Sequence, residues 1–186
     1  MAAKDFTNDQ ARLLILVSQL TKPAKSRHEE ETWIKKIPLM ALVSRGIQLG
    51  IFKTYDFAPI LVEYMDTTRF ASISKESEDD IADLRSVGYV ERLKLATSHY
   101  VYVSAYRITN KGLKAVAGLD KTHHEAVSKI LTCKKCGHNQ SIQAKEDAPY
   151  LMCKRCESEE IVDIFYIEEV SYFTSPMFSD IWTPTD

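Results

Sequence analysis

Residues 131–156, LTCKKCGHNQSIQAKEDAPYLMCKRC, hold all 4 cysteines of the chain as two Cys-x2-Cys pairs sixteen residues apart. Two residues between cysteines make a tight turn that aims both thiolates at one ion, and backbone N–H groups of the turn can bond the sulfurs. Gly137, directly after the first pair, permits the positive φ that such a turn needs. Cys133, Cys136, Cys153 and Cys156 therefore match the spacing of a structural zinc site, and one zinc ion per chain is expected. Four thiolates close the coordination shell and leave no position for a catalytic water, so the ion folds the segment and does no chemistry. Lys134, Lys135, Lys154 and Arg155, inside the two turns, help neutralise the negative charge of such a centre.

Two disulfides or an iron centre are the alternatives to zinc. The stretch MAAKDFTNDQ has neither the basic nor the apolar region of a secretion signal, and the longest apolar run, Leu13–Val17, is far shorter than the roughly 20 residues of a membrane span. An intracellular location, cytoplasmic or nucleoid- or nucleus-associated, is expected, where paired disulfides are rare. A rubredoxin-like iron centre also uses two such pairs, usually with a longer insert and a proline in the second turn. With 45% hydrophobic and 27% charged residues, the chain can bury a core. Its net charge of −2 is unevenly spread: residues 131–186 hold five Lys/Arg against ten Asp/Glu, which leaves residues 1–130 at +3. Neither part has the strong positive charge of many nucleic-acid binders.

Periodicity predicts a helix over 8–21, capped by Thr7 or Asn8, with Leu13, Leu14, Leu16, Val17 and Leu20 on its apolar side. Residues 21–31 read as a loop, 33–52 as mostly helical, with Pro38 in a first turn, and 57–66 as a further helix. RFASIS (69–74) reads as a strand. An acidic helix follows, Ser77 to Val87, with Ser74 or Ser77 as cap, Ile81, Leu84 and Val87 inward, and Gly88 as its stop. YVERLKL and YVYVSAYRIT form a hairpin through ATSH, and a helix capped by Asn110, continued through HHEAVSKIL with or without a break, leads to Cys133. Between the cysteine pairs, SIQA and YLM form a second hairpin, which IVDIFYIEEVSYF is expected to complete as a third strand. Tyr166, Tyr172, Phe173, Phe178 and Trp182 make an apolar tail expected to dock back on the protein.

The run LRSVGYVERL, then a hairpin, then YRITNKGLKAV resembles the second half of a winged helix-turn-helix domain, over about residues 57–119. The cysteine segment, about 131–173, resembles a zinc ribbon. Together they are similar in layout to the alpha subunit of transcription factor E and to several small prokaryotic regulators. The resemblance implies an α+β fold: a helical N-terminal section (1–56), a winged-helix-like domain with a connector helix (57–130), and a zinc ribbon with an apolar tail (131–186). Only about twenty residues separate the RFASIS strand from the wing, little space for both a second and a recognition helix.

The function this layout implies is non-catalytic: nucleic-acid binding and transcription regulation. Double-stranded DNA would meet the wing through Arg92, Lys94 and His99, with Arg107 and Lys111 nearby. No phosphate-binding glycine loop, nucleophile elbow or His-Glu metal helix points to catalysis. The competing expectation is a protein-interaction adaptor. Glu76, Asp79, Asp80 and Asp83 are expected outward on the acidic helix, where they would repel duplex DNA and suit a basic protein partner.

Overall fold

Helices alternate with short antiparallel sheets in the computed structural model, an α+β fold, which describes residues 6–24, 30–64, 67–95, 103–144, 150–161 and 165–166. Helix α1 (Asn8–Leu20) starts on a capping box: Thr7 Oγ1 accepts from the Gln10 N–H at 3.1 Å, and the Gln10 side chain bonds back to the Thr7 N–H. Ala11 and the whole run Leu13–Val17 are buried, so the middle of this helix is apolar on every side and lies inside the fold.

Strand β1 (Ile34–Lys35) runs directly into α2 (Lys36–Gln48). Pro38 sits in the first turn of α2, where its missing N–H would have no helical partner. Gly46 is demanded by packing, because a Cβ there would lie 2.5 Å from the Phe52 ring.

Residues 57–66, expected as a helix, instead contain strand β2 (Ala58–Tyr64). It pairs with β3 (Thr67–Ile73) in hairpin register, Ala58 opposite Ile73 and Tyr64 opposite Thr67. Ile60 and Val62 are β-branched, and an apolar run this short does not reveal its period. Pro59 is tolerated because β2 lies at a sheet edge.

Helix α3 (Lys75–Ser86) begins earlier than Ser77 because Ser74 is its cap, accepting from the Ser77 N–H at 3.2 Å. Ser77, Ile81 and Leu84 are buried, and the chain leaves through Gly88 at φ +75°. Strands β4 (Val90–Leu95) and β5 (Val103–Ile108) are antiparallel, Val90 opposite Ile108. The turn between them, with His99, lies outside the described residues. On its other side β5 pairs with β1, Ile34 opposite Tyr106, giving the order β1-β5-β4.

Helix α4 (Asn110–Ala117) is capped by Thr109 rather than Asn110, and α5 (Lys121–Ile130) by Asp120. Beyond α5, strands β6 (Ile142–Ala144), β7 (Tyr150–Cys153) and β8 (Glu159–Ile161) form a three-stranded antiparallel sheet in that order. The expected third strand therefore starts earlier, at Glu159, and its later part leaves this sheet. Strand β9 (Phe165–Tyr166) pairs with β3 instead, Phe70 opposite Tyr166. The rest of the apolar tail lies outside the described residues.

One hydrophobic cluster runs through all of this. It joins Leu13–Val17 of α1, Leu39–Val43 of α2 and Ile130 of α5 to Ile142, Leu151, Cys133 and Cys153. Arg45 of α2 is 1% exposed, and its guanidinium donates to the Thr132 carbonyl at 2.8 Å, next to the first cysteine. Among the described residues no helix is long and apolar enough to cross a membrane.

Candidate functional site

The two Cys-x2-Cys turns are built to the same plan. The Cys133 N–H donates to the His138 carbonyl at 3.0 Å and the Gly137 N–H to the Cys133 carbonyl at 2.9 Å. In the second turn the Cys153 N–H donates to Ser158 at 3.0 Å and the Glu157 N–H to Cys153 at 2.9 Å. Gly137 at φ +66° and Glu157 at φ +54° occupy the same left-handed position after each pair. The turns face one another. Their sulfurs lie 3.7 Å apart for Cys133–Cys156 and 3.7 Å for Cys136–Cys153, and all four fall within 4.8 Å. A tetrahedron with metal–sulfur arms of ~2.3 Å has edges near ~3.75 Å, so the four sulfurs fit one ion with little adjustment.

The surroundings favour the thiolate at Cys153 and Cys133. Cys153 is held down to about 6, first by the Ser141 hydroxyl and then by the N–H groups of Cys156 and Arg155, against its burial. The Ser158 hydroxyl, with N–H groups of the turn, lowers Cys133 as well. At Cys136 the His138 N–H pulls downward, but burial and the three neighbouring thiols outweigh it and push the thiol to about 11. Four adjacent thiols thus resist ionising together, and a divalent cation is what relieves the conflict. The His138 ring is not among the clustered ligand groups; its Nδ1 lies 3.0 Å from Arg155 Nη1.

The five candidate nucleic-acid contacts separate. Arg92 and Lys94 are exposed on β4, and His99 lies outside the described residues. Arg107 is tied into the sheet: it pairs with Glu31 and, at 2.6 Å, with Glu91, and its guanidinium lies 4.3 Å over the Trp33 ring. Lys111 donates to the Val87 carbonyl at 2.6 Å and lies 5.0 Å over the Tyr89 ring, closing the end of α3.

The acids of α3 separate in the same way. Asp80, expected outward, turns inward and accepts from Gln10 Nε2 and the Tyr55 hydroxyl, both at 2.7 Å. Burial, then Asp80, pushes the Tyr55 phenol well above its ordinary value. Glu78 pairs with Lys36. Glu76 accepts from the Ser74 hydroxyl at 2.8 Å, and its own N–H with that hydroxyl holds its carboxyl below the usual range. Asp79 and Asp83 remain on the exposed face.

Sequence reasoning missed Arg85 and Trp33. With Ser86, Glu91 and Arg92 they line an open groove of about 470 Å³ between the last turn of α3 and β4. Trp33 reaches it only because β1 is joined to β5 from seventy residues away, a pairing no local pattern announces.

Fold and cluster together define an α+β protein carrying a four-cysteine site of metal-binding geometry. The chain belongs to the Uncharacterized protein MJ1567 family, whose model matches residues 9–172, a span that runs from the second residue of α1 past β9 and includes all four cysteines. Among curated proteins, none matches it.

Proposed function

We propose that the chain is a non-catalytic, intracellular nucleic-acid-binding protein of the regulatory kind, a winged helix-turn-helix unit joined to a zinc ribbon. The observation that carries the proposal is the chain order α1-β1-α2-β2-β3-α3-β4-β5 with the sheet order β1-β5-β4. On this reading the winged unit reaches back to α1, and the β2–β3 hairpin is an insertion between its second and third helices. The second helix is then α2, ahead of the hairpin, which removes the shortage of space after RFASIS. Arg92 and Lys94 would approach phosphates from β4, while Arg107 and Lys111 hold the unit together.

Cys133, Cys136, Cys153 and Cys156 would hold one zinc ion, which closes the ribbon and leaves no open position for chemistry. Elemental analysis of protein purified without chelator should find about one zinc per chain; iron in its place, or no metal, would overturn that assignment.

Titration against labelled random-sequence DNA at two salt concentrations tests the function. Binding should weaken as salt rises, with a shallow slope because few phosphates are touched, and Arg92→Glu with Lys94→Glu should abolish it. A second reading is supported by Asp79 and Asp83 on the exposed face of α3: an adaptor that meets a basic protein partner. No binding to DNA at low salt, single or double stranded, would favour it.

A further inference from the structure

The groove between α3 and β4 combines an indole with two guanidinium groups that form no ion pair among the described residues, Arg85 and Arg92. Its acid, Glu91, is already engaged by Arg107 at 2.6 Å. Counting Arg85, Arg92 and Arg107 against Glu31 and Glu91, this wall carries +1 on a chain whose formal charge is −2. Arg107 lies over the Trp33 ring and fixes it in place. An aromatic wall beside unpaired cations is the equipment of a single-strand binder, in which bases stack and phosphates are neutralised.

The same face argues against a duplex. Asp79 lies one turn before Ala82 on the helical stripe that forms the groove wall, and Asp83 one turn before Ser86. A duplex broad enough to contact α3 along its length would press phosphates on both carboxylates. A single strand is narrow enough to stay at the Arg85 end. Resting on the nucleic-acid reading above, we propose that this groove binds single-stranded nucleic acid, with a base packed on Trp33 and its flanking phosphates on Arg85 and Arg92.

The test uses the full chain carrying Trp182→Phe, which leaves Trp33 as the single tryptophan of the 2 present. Oligothymidylate should quench Trp33 fluorescence and bind more tightly than a duplex of equal length. Trp33→Leu should weaken strand binding roughly five- to hundredfold, the range of one lost stacking contact. Since Trp33 also supports Arg107, Ala82→Glu at an exposed position serves as the second variant and should weaken binding at least tenfold. Arg85→Gln with Arg92→Gln should lower the slope of log affinity against log salt by about 1.4. Tighter binding of the duplex, or strand binding that neither quenches Trp33 nor responds to Ala82→Glu, would overturn the groove. If Lys94→Glu then abolishes that binding, the nucleic-acid reading survives without the groove. Absence of binding to strand and duplex alike overturns both.

Discussion

The α1–α4 region and the cysteine ribbon solve the problem of stability in opposite ways. The first buries Leu13, Leu14, Ile15, Leu16 and Val17 completely and packs Leu39, Leu42, Ile81 and Ile108 around them. Full burial of such a side chain is worth roughly 1.5–3 kcal/mol, so this region has stability from apolar contact alone. The ribbon has strands of three or four residues and, among its described residues, few buried apolar side chains, chiefly Ile142 and Leu151. Ser141 and the sulfurs of Cys133 and Cys153 are buried beside them. An ion that cross-linked four thiolates would do there what leucine does around α1. The difference teaches where each region should fail: one by losing carbon, the other, on the zinc proposal, by losing metal.

The largest effect expected follows from that contrast. Cys153→Ser removes one of the four sulfurs and should release the metal, lowering bound zinc from about one per chain to near zero. The ribbon should unfold while most of the far-ultraviolet helical signal of α1–α4 persists. Retention of metal and of ribbon protection against proteolysis would break the comparison.

Arg45 supplies a sharper test, because it is the buried polar link between the two regions. Arg45→Met takes away the donor to the half-buried Thr132 carbonyl and should cost about 1 kcal/mol, the usual net worth of one hydrogen bond. The continuous hydrophobic cluster leads us to expect that thermal melting stays a single transition at lower temperature in the zinc-loaded protein. Two separated transitions would mean that the regions are independent units joined by Arg45 alone.

The four-cysteine cluster is legible in the sequence and much of the other region is not, for the same physical reason. A Cys-x2-Cys turn is specified within six residues, so Gly137 and the sulfurs can be read locally. The caps Thr7 and Ser74 belong to the same class, since a cap acts on a neighbour three residues away. Strand β2 was misread because its identity depends on β3 across the hairpin, and β1 and β9 depend on partners still further off. The candidate contacts fared likewise. Arg107 reads as a free cation until Glu31, 76 residues away, is brought to it. Asp80 reads as an outward acid until Gln10, 70 residues away, supplies a donor. Charge can be counted in a sequence; which charges are already spent is a long-range property.

The smallest effect concerns the two near-copies of the cysteine turn. Both need a residue in the left-handed region after the second cysteine, and both close with the same pair of backbone hydrogen bonds. The first turn puts Gly137 there, which adopts φ +66° without a Cβ to clash. The second puts Glu157 at φ +54°, where an L side chain carries a cost of about 1–2 kcal/mol. Part of that cost is offset in the unfolded chain, which a glycine would leave freer. Glu157→Gly should therefore stabilise the ribbon by about 0.5–1 kcal/mol, and Gly137→Ala should weaken it by about 1 kcal/mol. No atom lies within 4 Å of a Cβ built at Gly137, so any loss there comes from backbone conformation and not from crowding. Competition for zinc against a chelator of known affinity measures both changes on one scale. If the two substitutions move affinity in the same direction, the turns are not equivalent, and something other than φ decides which of them holds the ion.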